Sequence, residues 1–245
     1  MNEARHEVKV YNTPEDFSRA AAEEFIRCAE SAIAHDNPFA VALAGGRSPR
    51  MMYELLAHDY AAKLDWHRVH FFWGDERYVS HDDPQSNYRM AKETMLDALK
   101  IPSANIHPMP THFGDPNEAA IEYGKTLMKF FSRQIARFDL VLLGIGADGH
   151  TASLFPGDSA LLEKEAWVVA VHAEVQPPVR LSLTLPVINS ARNIFFIAAG
   201  EEKQNVVETM LGHPEKARQH FPAAMVRTNG RLVMFLDVRA RGVKR

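Results

Sequence analysis

The stretch "FDLVLLGIGADGHTASLFPG", residues 138–157, decides how this chain is read. It opens on a short continuous apolar run, passes into glycines, and ends on Pro156-Gly157. A run of this kind bounded by turn residues fits a strand buried on both faces, with the glycines as the turn at its carboxyl end. Gly144, Gly146 and Gly149 have the spacing G-x-G-x-x-G of a dinucleotide-binding fingerprint. That motif requires a helix after its third glycine, because the pyrophosphate rests on the helix's first turn. Here "HTASLFPGD" follows, Pro156-Gly157 interrupts the chain within eight residues, and no acidic residue ends the next strand at the customary distance. The fingerprint reading fails. What remains is a glycine-flexed loop that displays Asp148 and His150 at a strand end.

Working outward, similar apolar runs recur at 39–44 ("FAVALA"), 69–74 ("VHFFWG"), 167–173 ("WVVAVHA") and 193–200 ("NIFFIAAG"). Near the C-terminus, "AAMVRT" and "RLVMFLD" flank Asn229-Gly230, a strong turn signal that predicts a hairpin. Helical patterns lie between the runs, at 14–35, 49–58, 86–99, 116–136 and 201–211. The first opens with Thr13 as a cap, Pro14 at the first helical position and Asp16 in the capping-box place. Continuous apolar strands separated by helices predict one α/β domain spanning 1–245, a doubly wound, mostly parallel sheet with helices on both faces. In such sheets ligands sit outside the carboxyl ends of the strands.

Bulk properties exclude several function classes. The 245 residues are 46% hydrophobic and 24% charged, with a formal net charge of −3, which argues against a general nucleic-acid binder. Cys28 is the only cysteine, so an intrachain disulfide and a cysteine-built zinc site are both excluded, and its helical spacing with Phe25 and Ala32 fits core packing. "MNEARHEVKV" lacks the apolar core of a signal peptide and no later run is long enough to cross a bilayer, so the expected location is cytoplasmic, with no membrane partner. His67 and His70 make a poor metal pair and H-E-x-x-H is absent, so no metal site is expected.

Three strand ends carry candidate chemistry. After "FAVALA" comes "GGRSPR": Gly45 and Gly46 permit a tight turn, Ser48 is placed to cap the next helix, and Pro49 to begin it. The helix start offers free N–H groups to an anion, and Arg47 and Arg50 add charge, although no Walker loop is present. After the second run come Asp75, Glu76 and Arg77, which could pair with each other at the rim or handle a polar ligand. At the third, His150 can take a proton from water near neutral pH, and either Asp148 or Asp75 could orient it or a substrate hydroxyl. Arg180 and Lys203 are later cationic candidates. Lys203 sits in the first turn of the helix after "NIFFIAAG", where a cation opposes the helix dipole unless an anion binds there.

In order along nearly the whole chain, "LAGGRSP", "WGDER", "QSNYRMAKETML", "FDLVLLGIGADGHTASLFPG", "LTLPVINSAR" and "AAGEEK" resemble the 6-phosphogluconolactonase family. The resemblance implies a Rossmann-like fold and hydrolysis of a phosphorylated sugar lactone, 6-phosphoglucono-δ-lactone, to 6-phosphogluconate in the oxidative pentose phosphate pathway. It implies no metal or organic cofactor. By the same resemblance His150 is the general base, Asp75 and Arg77 are active-site polar residues, and Gly45, Gly46, Arg47 and Ser48 belong to the phosphate loop. Arg180 and Lys203 look like phosphate ligands by similarity to the related glucosamine-6-phosphate isomerase/deaminase family. That family carries a glutamate five residues after its histidine, where this chain has Phe155. Isomerisation would need a further acid/base group there, so the departure favours hydrolysis over an isomerase. A non-catalytic sugar-phosphate sensor is the third reading.

Overall fold

The computed structural model describes residues 5–132 and 135–242. Six strands form one parallel sheet: β1 (Arg5–Tyr11), β2 (Phe39–Leu43), β3 (Val69–Trp73), β5 (Leu140–Leu143), β8 (Asn193–Ala198) and β9 (Arg231–Asp237), in the order β1-β9-β8-β5-β2-β3. Every residue of β2 and β5 is buried, which requires cover on both faces and explains their unbroken apolar sequence. The chain steps from β2 outward to β3 and then returns to the other side of β2 as β5. The switch point therefore lies between the carboxyl ends of β2 and β5, the two ends from which the glycine-rich turns depart.

A second sheet holds β4 (Asp75–Arg77), β6 (Val168–His172) and β7 (Val179–Leu183), antiparallel in the order β4-β7-β6. Gly74 joins the two sheets: its N–H donates to Leu43 O at 2.9 Å, and its carbonyl accepts from Leu183 N at 2.8 Å. The acidic triplet expected beyond a strand end is thus itself a short strand. Its pleat sends Asp75 and Arg77 to one face and Glu76 to the other. The run at 167–173 also belongs to this small sheet; its burial is broken along the strand, unlike that of β2.

Helix α1 (Pro14–Ala34) begins as its sequence predicts, with Thr13 Oγ1 accepting from Asp16 N at 3.1 Å and donating to Asp16 Oδ2 at 2.7 Å. Helix α2 (Arg47–His58) starts two residues earlier than expected. Gly46, at φ 94°, takes the N-cap position, so Ser48 lies inside the helix and makes no capping bond. Helix α3 (Asn87–Ala91) widens into a π-helical turn over Lys92–Leu96. Helix α4 (Pro116–Phe131) stops at Ser132, in the left-handed region at φ 47°. Of the rest of its expected span to 136, residues 133–134 lie outside the described residues, as do residues 1–4 at the start of the expected domain and 243–245 at its end. Helix α5 (Leu185–Asn189) follows β7, and helix α6 (Gln204–Gly212) follows a 3-10 turn at Glu201–Lys203. Cys28 packs against the core, and burial pushes its thiol up to about 12.

The predicted C-terminal hairpin does not form. Residues Pro222–Met225 are helical, and β9 instead pairs in parallel with β1 on one side and β8 on the other. Asn229-Gly230 is a local turn signal, whereas an apolar seven-residue strand gains more by taking neighbours on both edges. β1 was not foreseen at all, because its charged alternation "RHEVKVY" reads as surface. The charges are used on the α1 side. Glu24, with 8% of its side chain exposed, accepts from Arg231 Nη1 at 2.6 Å and Lys9 Nζ at 2.7 Å, and lies 2.9 Å from Arg27 Nη2. The Arg231 hydrogen bond outweighs burial, and Lys9 and Arg27 add to it, so the Glu24 carboxyl sits far below its ordinary range.

Because that carboxyl is depressed in the folded state, its stabilisation is complete above the unfolded pKa near 4.3 and fades as pH falls below it. Glu24→Ala should cost about 3 kcal/mol in urea unfolding at neutral pH, and the gap to the unaltered chain should narrow on acidification below pH ~4. A gap that is absent, or that widens in acid, would contradict the network.

Candidate active site

A cavity of about 480 Å³ opens at the switch point, a volume suited to one small polar molecule. Gly45, Gly46, Arg47, Ser48, Asp75, Arg77, His150, Arg180 and Lys203 all border it. Of the other sequence candidates, Asp148, Glu76 and Arg50 do not border it; Asp148 is bonded to His150 instead. Four polar or charged groups at the cavity were not foreseen: Ser18, Asn87, Glu202 and Arg239. Arg239 could have been found, since it follows the end of β9 and the strand-end rule applies there too. Asn87 is brought in by α3; it lies in "QSNYRMAKETML", a stretch that carries the family resemblance, but no strand-end rule points to it.

The loop after β5 is built around its histidine. His150 Nδ1 lies 2.6 Å from Asp148 Oδ1, and the same oxygen accepts from His150 N at 3.1 Å. An ionised carboxylate only accepts, so Nδ1 carries the proton and Nε2 keeps its lone pair. Burial works against ionising Asp148, but the backbone N–H, charge and ring of His150 together hold its carboxyl below the usual range. Of the two acids that sequence left open, Asp148 is the one bonded to the imidazole. Asp75 is buried and differently engaged, its Oδ2 accepting from Ser153 Oγ at 2.7 Å.

Two glycines make this loop possible. A Cβ on Gly146 would stand 2.1 Å from His150 Nδ1 and 2.4 Å from Asp148 Oδ1, so only bare backbone fits beneath the pair. Gly149, at φ 84°, is pressed against the Phe221 ring, and its carbonyl accepts from Ala223 N at 3.0 Å. The failed hairpin segment thus braces the histidine loop. On its far side the imidazole meets the Phe155 ring, 4.7 Å between centroids, and the Arg180 guanidinium stands 5.8 Å over that same ring.

Arg77 and Arg180 are register partners on β4 and β7. Arg180 is 6% exposed, and its Nε donates to Pro177 O at 3.1 Å. Burial, then the neighbouring Arg77, lower its pKa from the ordinary arginine value. Arg77 donates from Nη1 to Gln85 O at 2.8 Å and has no partner for its buried Nε. The rim ion pair that sequence allowed between Asp75 and Arg77 does not form. Among the described residues Arg47, Arg77, Arg180 and Lys203 all lack a carboxylate within ion-pair distance. The start of α2 adds first-turn N–H groups with no side-chain cap. Arg50 is engaged elsewhere, 3.4 Å from Glu54. Among the described residues no group of three or more His, Cys, Asp or Glu side chains is placed to hold a metal, and no helix is long and apolar enough to cross a membrane.

An oriented imidazole facing a cavity rich in unpaired cations suits hydrolysis of an anionic substrate. Comparison with known proteins agrees. The family described as glucosamine-6-phosphate isomerases/6-phosphogluconolactonase matches residues 12–234. The chain belongs to that family. The 6-phosphogluconolactonase of Synechocystis sp. is 44% identical over 212 residues, covering 85% of this chain and 86% of that protein. The solved 6-phosphogluconolactonase of Trypanosoma cruzi is 27% identical, with a TM-score of 0.87 over 97% of this chain and 96% of that one. A monomeric glucosamine-6-phosphate deaminase, 20% identical, reaches a TM-score of 0.80 over 97% of this chain and 100% of that one, a likeness of fold alone. Both branches of the family thus share this architecture, and the reaction must be argued from the site.

The tautomer is directly measurable. Long-range ¹H–¹⁵N spectra should show neutral His150 protonated on Nδ1, and Gly146→Ala should abolish that signature by displacing the ring. A ring protonated on Nε2 in the unaltered chain would contradict the assignment.

Proposed function

We propose that this chain, acting as one domain, is a lactonase that hydrolyses 6-phospho-D-glucono-1,5-lactone to 6-phospho-D-gluconate in the oxidative pentose phosphate pathway. The observation that carries the reading is Arg180. It is a buried guanidinium with no carboxylate partner, in register beside Arg77 and bordering the same cavity as the His150 imidazole. A buried, unpaired cation is costly, and a bound phosphate dianion removes the cost.

In this reading the phosphate is held by Arg180, Lys203 and the loop Gly45–Ser48 at the open start of α2. That contact fixes the sugar so that C1 lies beside His150. His150 Nε2 takes a proton as water attacks the C1 carbonyl, and Asp148 stabilises the imidazolium that results. Within the histidine loop the N–H groups of Gly146, Gly149 and His150 are already engaged by His150 O, Gly146 O and Asp148 Oδ1. Arg77, whose Nε has no partner, is the donor assigned to the oxyanion in this reading. Collapse of the tetrahedral intermediate breaks the bond from C1 to the ring oxygen, which leaves with the proton from the imidazolium. Phe155 supports hydrolysis over isomerisation: the place where a further acid/base group would be needed holds an aromatic ring packed on His150.

The test is acid release from freshly prepared lactone, with spontaneous opening subtracted. The unaltered chain should accelerate it, and His150→Ala should lower kcat by ~10²–10⁴-fold. Arg180→Ala should raise KM about tenfold or more, the usual worth of a hydrogen bond to a charged group. No acceleration by the unaltered chain would refute the lactonase, and ammonia release from glucosamine 6-phosphate would favour the deaminase. Binding of 6-phosphogluconate with no acceleration would mean a sensor.

A further inference from the structure

Glu76 lies on the face of β4 opposite Asp75 and Arg77 and is fully buried. Its Oε1 accepts from Arg77 N at 2.8 Å and Asn87 N at 2.7 Å. Its Oε2 accepts from Tyr88 N at 2.7 Å and Ser86 Oγ at 3.1 Å. All four acceptor sites of the carboxylate are therefore filled, and among the described residues no cation lies within ion-pair distance of it.

The donors come from both ends of the loop that leaves β4 and returns as α3. Two belong to residues that border the cavity, Arg77 and Asn87. Asn87 passes the constraint on. Its Nδ2 donates to Asp75 O at 2.9 Å, and its amide lies so close to Gly45 that a Cβ there would stand 1.9 Å from Oδ1. One carboxylate outside the cavity thus ties together Arg77, the Asp75 backbone and the glycine turn after β2.

A role in stability alone is a poor explanation for this group. A buried carboxylate without a cation partner is expensive, and an apolar side chain could fill the volume more cheaply. Burial pushes the Glu76 carboxyl up to about 7, and the three backbone donors only partly offset it. What an apolar residue cannot do is fix four donors from two segments in one place.

We propose that Glu76 is a positioning residue of the active site, which acts on the substrate through the Arg77 side chain without touching it. The inference rests on the lactonase reading above. Glu76→Gln is the natural probe, since it keeps shape but turns an NH₂ toward two backbone or hydroxyl donors. On the unaltered background it should lower kcat/KM for the phosphorylated lactone about tenfold or more, one lost charged acceptor. On an Arg77→Ala background the same change should cost less than about threefold, because residues acting as one unit are not additive. A loss confined to fold stability would multiply both backgrounds alike.

Equal factors in the two backgrounds, or a Glu76→Gln chain within about twofold of the unaltered one, would overturn the proposal. Should Glu76→Gln fail to fold, Ser86→Ala removes one donor outside the cavity and should lower kcat/KM several-fold, again only when Arg77 is present. Unchanged kcat/KM in Ser86→Ala would then leave Glu76 a purely structural group and overturn the proposal as well. If the unaltered chain itself does not open the lactone, the failure lies with the lactonase reading and not with Glu76.

Discussion

Two guanidinium groups held side by side, one of them buried, repel each other and resist desolvation. Arg77 and Arg180 are fixed in this relation by the β4–β7 register and receive no carboxylate in return. The fold bears that cost through backbone contacts: Gln85 O and Pro177 O accept from the two side chains, and Glu76 anchors the main chain of Arg77 from behind. In the proposed reading the substrate's phosphate offsets the cost at Arg180.

The small antiparallel sheet holds the two arginines in this relation. A doubly wound parallel sheet presents only loops at its carboxyl rim, and loops position charges less rigidly than strands. By bending at Gly74, the chain extends β3 into β4 and pairs it with β7, which puts Asp75, Arg77 and Arg180 on strand backbone over the switch point. The histidine loop reaches similar rigidity by another route, with Gly146 and Gly149 letting Asp148, Phe221 and the Ala223 N–H approach closely.

How much of this was legible in the sequence follows from the range of the forces involved. The apolar runs at 39–44, 138–146 and 193–200 announce buried strands because burial on both faces leaves a continuous local signal. The strand-end rule then finds Gly45–Ser48, Asp75, His150 and Lys203. Partnership that depends on distant residues leaves no such mark. The charges of β1 are explained only by Glu24 and Arg231, and the Asn229-Gly230 turn leads into a strand whose neighbours are Arg5–Tyr11 and Asn193–Ala198. Ser48 was misplaced as a cap because glycine at 46 can adopt φ 94° and start the helix sooner. Glu76 reads as one member of an acidic, basic triplet, and only the pleat of β4 separates it from its neighbours.

The central claim is that an imidazole and an anion pocket lie one hexose length apart on one rim. A crystal structure of the chain with 6-phosphogluconate bound tests this most directly. The account predicts the phosphate among Arg180, Lys203 and the start of α2, with the C1 carboxylate within hydrogen-bond reach of His150 Nε2. A phosphate bound at His150, or a product lodged away from Arg180 altogether, would contradict it.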